Sequence, residues 1–151
     1  MTPTELLAAI ESHLRGCGMF DVVNMHESAS PPGRGINAEV WEDSLTTVRA
    51  VSGLNVVSVR IVYTIRVLCL ADREPRDTID RDLLDVVSKL FETFCGDFEL
   101  GGQVLQVDLL GAYGLALSSQ SGYLLVDGST RYRIRTITLP LIIDDLWTEV
   151  A

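Results

Sequence analysis

From Val56 to Leu70 the chain reads VVSVRIVYTIRVLCL. Val57, Val59, Ile61, Tyr63, Ile65, Val67 and Cys69 form one alternating set, all apolar or aromatic. Between them Ser58, Arg60, Val62, Thr64 and Arg66 are mostly polar. A period of two is what a strand shows when one of its faces lies on a core, and the β-branched residues that dominate the run suit a pleated surface. At about 3.3 Å per residue the run spans roughly 50 Å, whereas most strands hold about three to ten residues. It therefore either bends or reaches past its own core toward a neighbour.

Two stretches carry the other period. Thr2-Pro3-Thr4-Glu5 offers a cap, a proline at the first helical position and a capping-box glutamate. Leu6, Leu7, Ile10 and Leu14 then make one stripe, and Gly16 and Gly18 end it. His13, near the end of this helix, reads as a solvated histidine favoured by the helix dipole. The second stripe is Ile79, Leu83, Val86, Val87, Leu90, Phe91 and Phe94, an amphipathic helix with Asp77 or Thr78 as cap and Gly96 as terminal glycine. Asp80 and Asp82 lie in its first turn, where anions are favoured. Arg81 among Asp77, Asp80 and Asp82 argues for capping rather than a metal site.

The remaining segments read as short strands and turns. Phe20–Val23 is a short strand, and Glu27–Gly35, with two prolines and two glycines, is an exposed loop bounded at about 27–36. Gly33-Arg34-Gly35 lacks the lysine and spacing of a phosphate loop. Asn37–Glu42 is a strand with Ala38, Val40 and Glu42 on one side. Asp43-Ser44 is placed to turn it, and Leu45–Val51 is a further extended piece. After the second helix come a strand over Val104–Leu110, a turn or bulge over Gly111–Gly114, and a short strand or edge piece at Leu115–Ser118. A strand over Tyr123–Val126 follows, with a hairpin turn at Asp127-Gly128. The last strand, Tyr132–Ile143, slips in its alternation: Arg131, Arg133 and Arg135 share parity with Ile137 and Leu139. A bulge would cause this; so would one face passing from solvent into a contact. Pro140 points to an edge or the end of pairing. Residues 144–151 form a short tail. The sum is one domain over 1–151, of α+β class, with a mostly antiparallel sheet and two helices packed on one face.

Composition removes several functions. The net charge is −9 and the pI about 4.5, which disfavours a tight grip on nucleic acid but not DNA passing an acidic wall. Three cysteines, Cys17, Cys69 and Cys95, have no zinc or disulfide spacing. Cys69 and Cys95 read as buried small hydrophobes. With two histidines, His13 and His26, and no serine in a nucleophile elbow, no catalytic set forms. No catalytic residues, metal or cofactor are expected. No apolar run nears the length of a membrane helix, and Glu5 stands where a signal peptide wants positive charge. The protein is expected to be made in a reducing cytoplasm.

The arginines leave two readings open. Arg60 and Arg66 share the polar face of the long strand, and Arg131, Arg133 and Arg135 share a face of the last one. Were those strands to pair, the five would form a basic stripe. It is either a solvated face laced with weak ion pairs or a contact in which the basic face of one subunit meets an acidic edge of the next. The length of Val56–Leu70 favours the subunit interface.

From Ser52-Gly53-Leu54 onward the chain resembles the tail terminators, or head–tail joining proteins, of siphophages that infect actinobacteria. The resemblance is carried by Arg60–Val67 (RIVYTIRV), Glu74-Pro75-Arg76-Asp77, Gly96–Gly102 (GDFELGG), Val107–Gly111 (VDLLG), Gly122-Tyr123 and Thr136–Ile142 (TITLPLI), roughly two thirds of the chain. It implies a structural virion protein with no enzymatic activity. It further implies a homo-oligomer: in the family the subunit forms a hexameric ring that caps the finished tail tube, ends its polymerisation and docks to the head connector, or stopper. Genomic DNA passes through the lumen unbound, no membrane is involved, and the site of action is the head–tail junction of the virion. Arg34 in the loop and the tryptophans Trp41 and Trp147 are the residues expected to touch partners. The alternatives are another neck component, a tail tube protein or, from a different class, a small-molecule-binding α+β domain.

Overall fold

The computed structural model describes residues 3–27, 35–48, 56–97, 99–100 and 106–148. Its elements are α1 (Pro3–Gly16), β1 (Val22–Asn24), β2 (Asn37–Thr47), β3 (Val56–Leu70), α2 (Ile79–Gly96), β4 (Gln106–Val107), β5 (Ser118–Val126) and β6 (Thr130–Thr148). The class is α+β, as the periodicities predict. The sheet runs β1-β2-β3-β6, and both β4 and β5 pair with the outer side of β6. Every pairing is antiparallel except β1 with β2.

The long alternating run is one strand, and its apolar set lies under the helices. Val59, Ile61, Tyr63, Ile65, Val67 and Cys69 are buried together with Ile137, Leu139, Leu141 and Ile143 of β6. Directly opposed residues in an antiparallel pair share a face. Ile61 faces Leu141, Ile65 faces Ile137, and Ala38 and Val40 of β2 join from the other side. Leu6, Ile10 and Leu14 of α1 and Leu83, Val87, Leu90 and Phe94 of α2 close this layer. Both helices therefore cover one face, and a Leu→Ala change at such a site costs about 2–5 kcal/mol. A smaller second core lies on the far face, where Leu68, Val126, Tyr132 and Ile134 meet at the β5–β6 hairpin.

Several local expectations change. Asp43-Ser44 is not a turn: the register shifts between Glu42 and Ser44, so Asp43 forms a bulge and β2 continues to Thr47. The parity slip in β6 is not a bulge, because its register with β3 is unbroken from Tyr132 to Ile143. The helix-side face instead passes from the half-exposed Arg133 and Arg135 into the core at Ile137. Pro140 is internal to the strand. Its carbonyl accepts the Asp108 N–H from the outer side, so the missing donor also points outward, between the last β5 pair at Thr138 and the first β4 pair at Leu141. Thr78 holds the N-cap position of α2, but its side chain makes no capping hydrogen bond. Its hydroxyl donates to the Pro75 carbonyl at 2.9 Å within a 3-10 turn over Arg76–Thr78. Gly96 is the last helical residue, with Asp97 at the cap. Cys95 is exposed, not buried, since Phe94 takes the inward position beside it; Cys69 is buried. The hairpin turn stands as read: Asp127 and Gly128 have φ of 56° and 68°, and the Ser129 N–H donates to the Val126 carbonyl at 3.2 Å.

Candidate subunit interface

The strands bearing the five arginines do pair, but the arginines do not form one stripe. Arg135 lies opposite Val67 and Arg133 opposite Cys69, on the helix face, whereas Arg66 lies opposite Thr136 and Arg60 opposite Ile142, on the far face. The parity of each strand is sound. What sequence alone could not supply is the register between them, and a shift of one residue moves a whole set to the other side.

On the helix face the arginines gather at the start of β6. Arg133 donates to both carboxylate oxygens of Asp80 in the first turn of α2, at 2.8 and 3.4 Å, and to the Gly122 carbonyl at 3.1 Å. The hydrogen bond to Asp80 raises its pKa further. Tyr123, directly across from Arg133, carries the guanidinium of Arg131 over its ring at 3.9 Å and that of Arg133 at 4.5 Å. Arg135 reaches the Ser119 hydroxyl at 3.5 Å. Charge thus sits one strand behind β5, and β5 itself carries none.

On the far face Arg66 donates to Glu27 at 3.2 Å and stacks over Trp41 at 4.8 Å. One expected interface residue and one expected partner contact are thereby brought together. Arg60 donates to the Tyr113 carbonyl at 2.7 Å and holds the loop between β4 and β5. Asp108, almost fully buried, folds that loop: its two oxygens accept the N–H groups of Ala112 at 2.7 Å and Tyr113 at 2.9 Å. Gly111 and Gly114, with φ of 77° and 127°, make the reversal, and a side chain at Gly114 would strike the Arg60 guanidinium. The loop so fixed presents Leu110, 93% exposed, at its tip. The Nε atoms of Arg60 and Arg66 and the side-chain amide of Asn37 are buried without hydrogen-bond partners among the described residues. Trp147 is exposed opposite Val57 near the end of β6, away from Trp41 opposite Thr64. Arg34 lies outside the described residues.

A cleft of about 470 Å³ between the ends of the two helices is lined by His13, Cys17, Thr93 and Asp97, among others. His13 is not the solvated residue its position suggests. Its ring stacks on Phe94 at 4.8 Å, and its Nε2 lies 3.0 Å from the Thr93 hydroxyl. That hydroxyl donates to the Leu90 carbonyl at 2.8 Å, so it accepts from His13 Nε2–H. Burial lowers the pKa of His13 from 6.5, and Asp97 acts weakly the other way. Among the described residues, no group of three His, Cys, Asp or Glu side chains is placed to hold a metal ion, and no helix is long and apolar enough to cross a membrane.

Sequence reasoning found the second half of β5, Tyr123–Val126, and missed its first half. Ser118–Gly122 is polar throughout and shows no alternation. The available signal was a lack of charge: from Leu109 to Val126 no residue is charged, in a chain that is 22% charged. The chain matches no protein-family model and no curated protein.

Proposed function

We propose that this chain is a structural protein of a phage neck. It forms a ring on the finished tail tube, stops the tube's growth and joins it to the connector of the filled head, with DNA passing through the lumen. The observation that carries the reading is the ordered set of segments from Arg60 to Ile142 that resembles the tail terminators. Among the described residues those segments fall on β3, the turn before α2, the end of α2, β4, β5 and β6, the central strands of the fold and their neighbours. Two further features support it. Strands of 15 and 19 residues form a ladder much longer than a domain of this size needs. The rigid Leu110 loop and the uncharged β5 edge are surfaces suited to a partner.

The role predicts a specific failure. Tubes assembled in cells lacking this chain grow to irregular, excessive lengths and remain without heads, and supplying the chain restores uniform length. Tubes of normal length in its absence would refute a terminating role. The His13 cleft favours the one reading from another class, a small-molecule-binding domain.

A further inference from the structure

The two edges of the sheet differ in kind, and each has what the other lacks. On one side β5 pairs only with β6, so its outer backbone groups face away from the sheet among the described residues. It has nine residues, with no proline and no charge, so none of the devices that keep edge strands apart. Tyr123 and Leu125, each 57% exposed, project from its helix face, and the loop leading into it from β4 carries exposed Leu110 and Leu115. On the other side β1 covers β2 only over Asn37–Glu39. Val40 to Thr47, eight residues, keep an open edge of nearly the same length among the described residues, where Leu45 is exposed and Val22 of β1 lies alongside. Four of the eight exposed large apolar side chains among the described residues lie on the strands of these two edges, and two more lie in the loop leading into β5.

Charge and direction agree. Glu42 lies on the helix face opposite Tyr63, whose phenol is pushed up to about 12 mainly by burial and further by Glu42. Exposed Asp43 bulges beside it. Arg131, Arg133 and Arg135 lie on the same helix face behind β5. β2 runs against β3, β3 against β6 and β6 against β5, so β5 runs opposite to β2. Copies related by rotation about an axis along the strands keep these directions and faces. The β5 of one copy then meets the β2 of the next antiparallel, helix face beside helix face, with its arginines toward the neighbour's carboxylates.

We infer that the outer edge of β5 pairs head-to-tail with Val40–Thr47 of a second copy of this chain. This contact is heterologous, and repeating it by rotation closes a ring. The bulge at Asp43 guards the β2 edge against unselective strands, and a neutral strand backed by arginines is the partner that satisfies it. The inference specifies a contact within the proposed ring and rests on that reading.

Two variants block one edge each: Gln120→Lys with Leu125→Lys on β5, and Glu42→Lys with Leu45→Lys on β2. All four positions are exposed, and circular dichroism checks that each variant folds. Native mass spectrometry of the full chain over a concentration series is the readout. The wild type is expected to associate and each variant alone to stay at the 16.6 kDa of a single chain. Their mixture is expected to give a dimer of one copy of each and nothing larger, because only one pair of intact edges remains. A wild type that stays monomeric throughout, variants that assemble as the wild type does, or a mixture that stays monomeric overturns the contact. Assembly that survives both variants would refute the edges while leaving the neck role to the tube-length experiment.

Discussion

Replacing Asp108 with alanine should loosen one loop and little else. The carboxylate is buried, and it accepts the N–H groups of Ala112 and Tyr113 at 2.7 and 2.9 Å. A hydrogen bond to a charged group contributes about 1.5–3 kcal/mol. Removing the carboxylate also removes the cost of keeping it from water, which offsets part of the loss. The net for the pair is about 2–3 kcal/mol. For a chain of this length each kcal/mol moves the melting point by about 2–4 °C, so Asp108→Ala is expected to melt roughly 5–10 °C lower. Hydrogen exchange locates the effect: the Ala112 and Tyr113 amides should lose protection while those of β3 keep theirs. Because the same loop displays Leu110 and is clamped by Arg60 through Tyr113, self-association should weaken as well. A melting point within about 1 °C of wild type and unchanged protection at both amides would refute this account of the loop.

Other perturbations separate core, surface and titration. Leu83→Asp places an unpaired charge beneath α2 at a site only 1% exposed; the protein should be unfolded or insoluble, and a soluble variant with a cooperative melt would contradict the helix packing. Arg133→Glu gives up an ion pair with the largely exposed Asp80, worth at most about 1 kcal/mol, so the monomer should fold while oligomer mass falls; Arg66→Glu tests the far face in the same way. Unchanged mass in both would remove the arginines from the interface. For His13, burial holds the folded-state pKa below 6.5. The unfolded chain then binds the proton more readily, and stability present above 6.5 is lost as pH falls through that value. The melting point should drop as pH falls below 6.5, and His13→Gln, which keeps a donor for Thr93, should lessen the drop; equal drops in both proteins would contradict the assignment.

The parts of the fold readable from the chain are those where one face is apolar and the other is not. Val56–Leu70 was delimited to the residue, because its alternation holds across the whole length of the core. The α2 stripe was legible for the same reason, and the helix begins at Ile79, the first residue of the stripe, directly after Thr78. Where neither face is apolar the signal fails, so Ser118–Gly122 did not read as a strand. A bulge and a turn use similar residues, which is why Asp43-Ser44 was read as a break in β2. The candidate site was legible as a list but not as an arrangement. The five arginines were found by parity, yet their division between two faces depends on a register set by distant packing. The role of Arg60 as a clamp depends on a carbonyl 53 residues away.

Imaging of intact virions assembled in cells that make this chain tests the central claim most directly. The ring account predicts sixfold density for it once per particle, between the tail tube and the head connector. Density repeated along the tube, or absence of the chain from the particle, would contradict it.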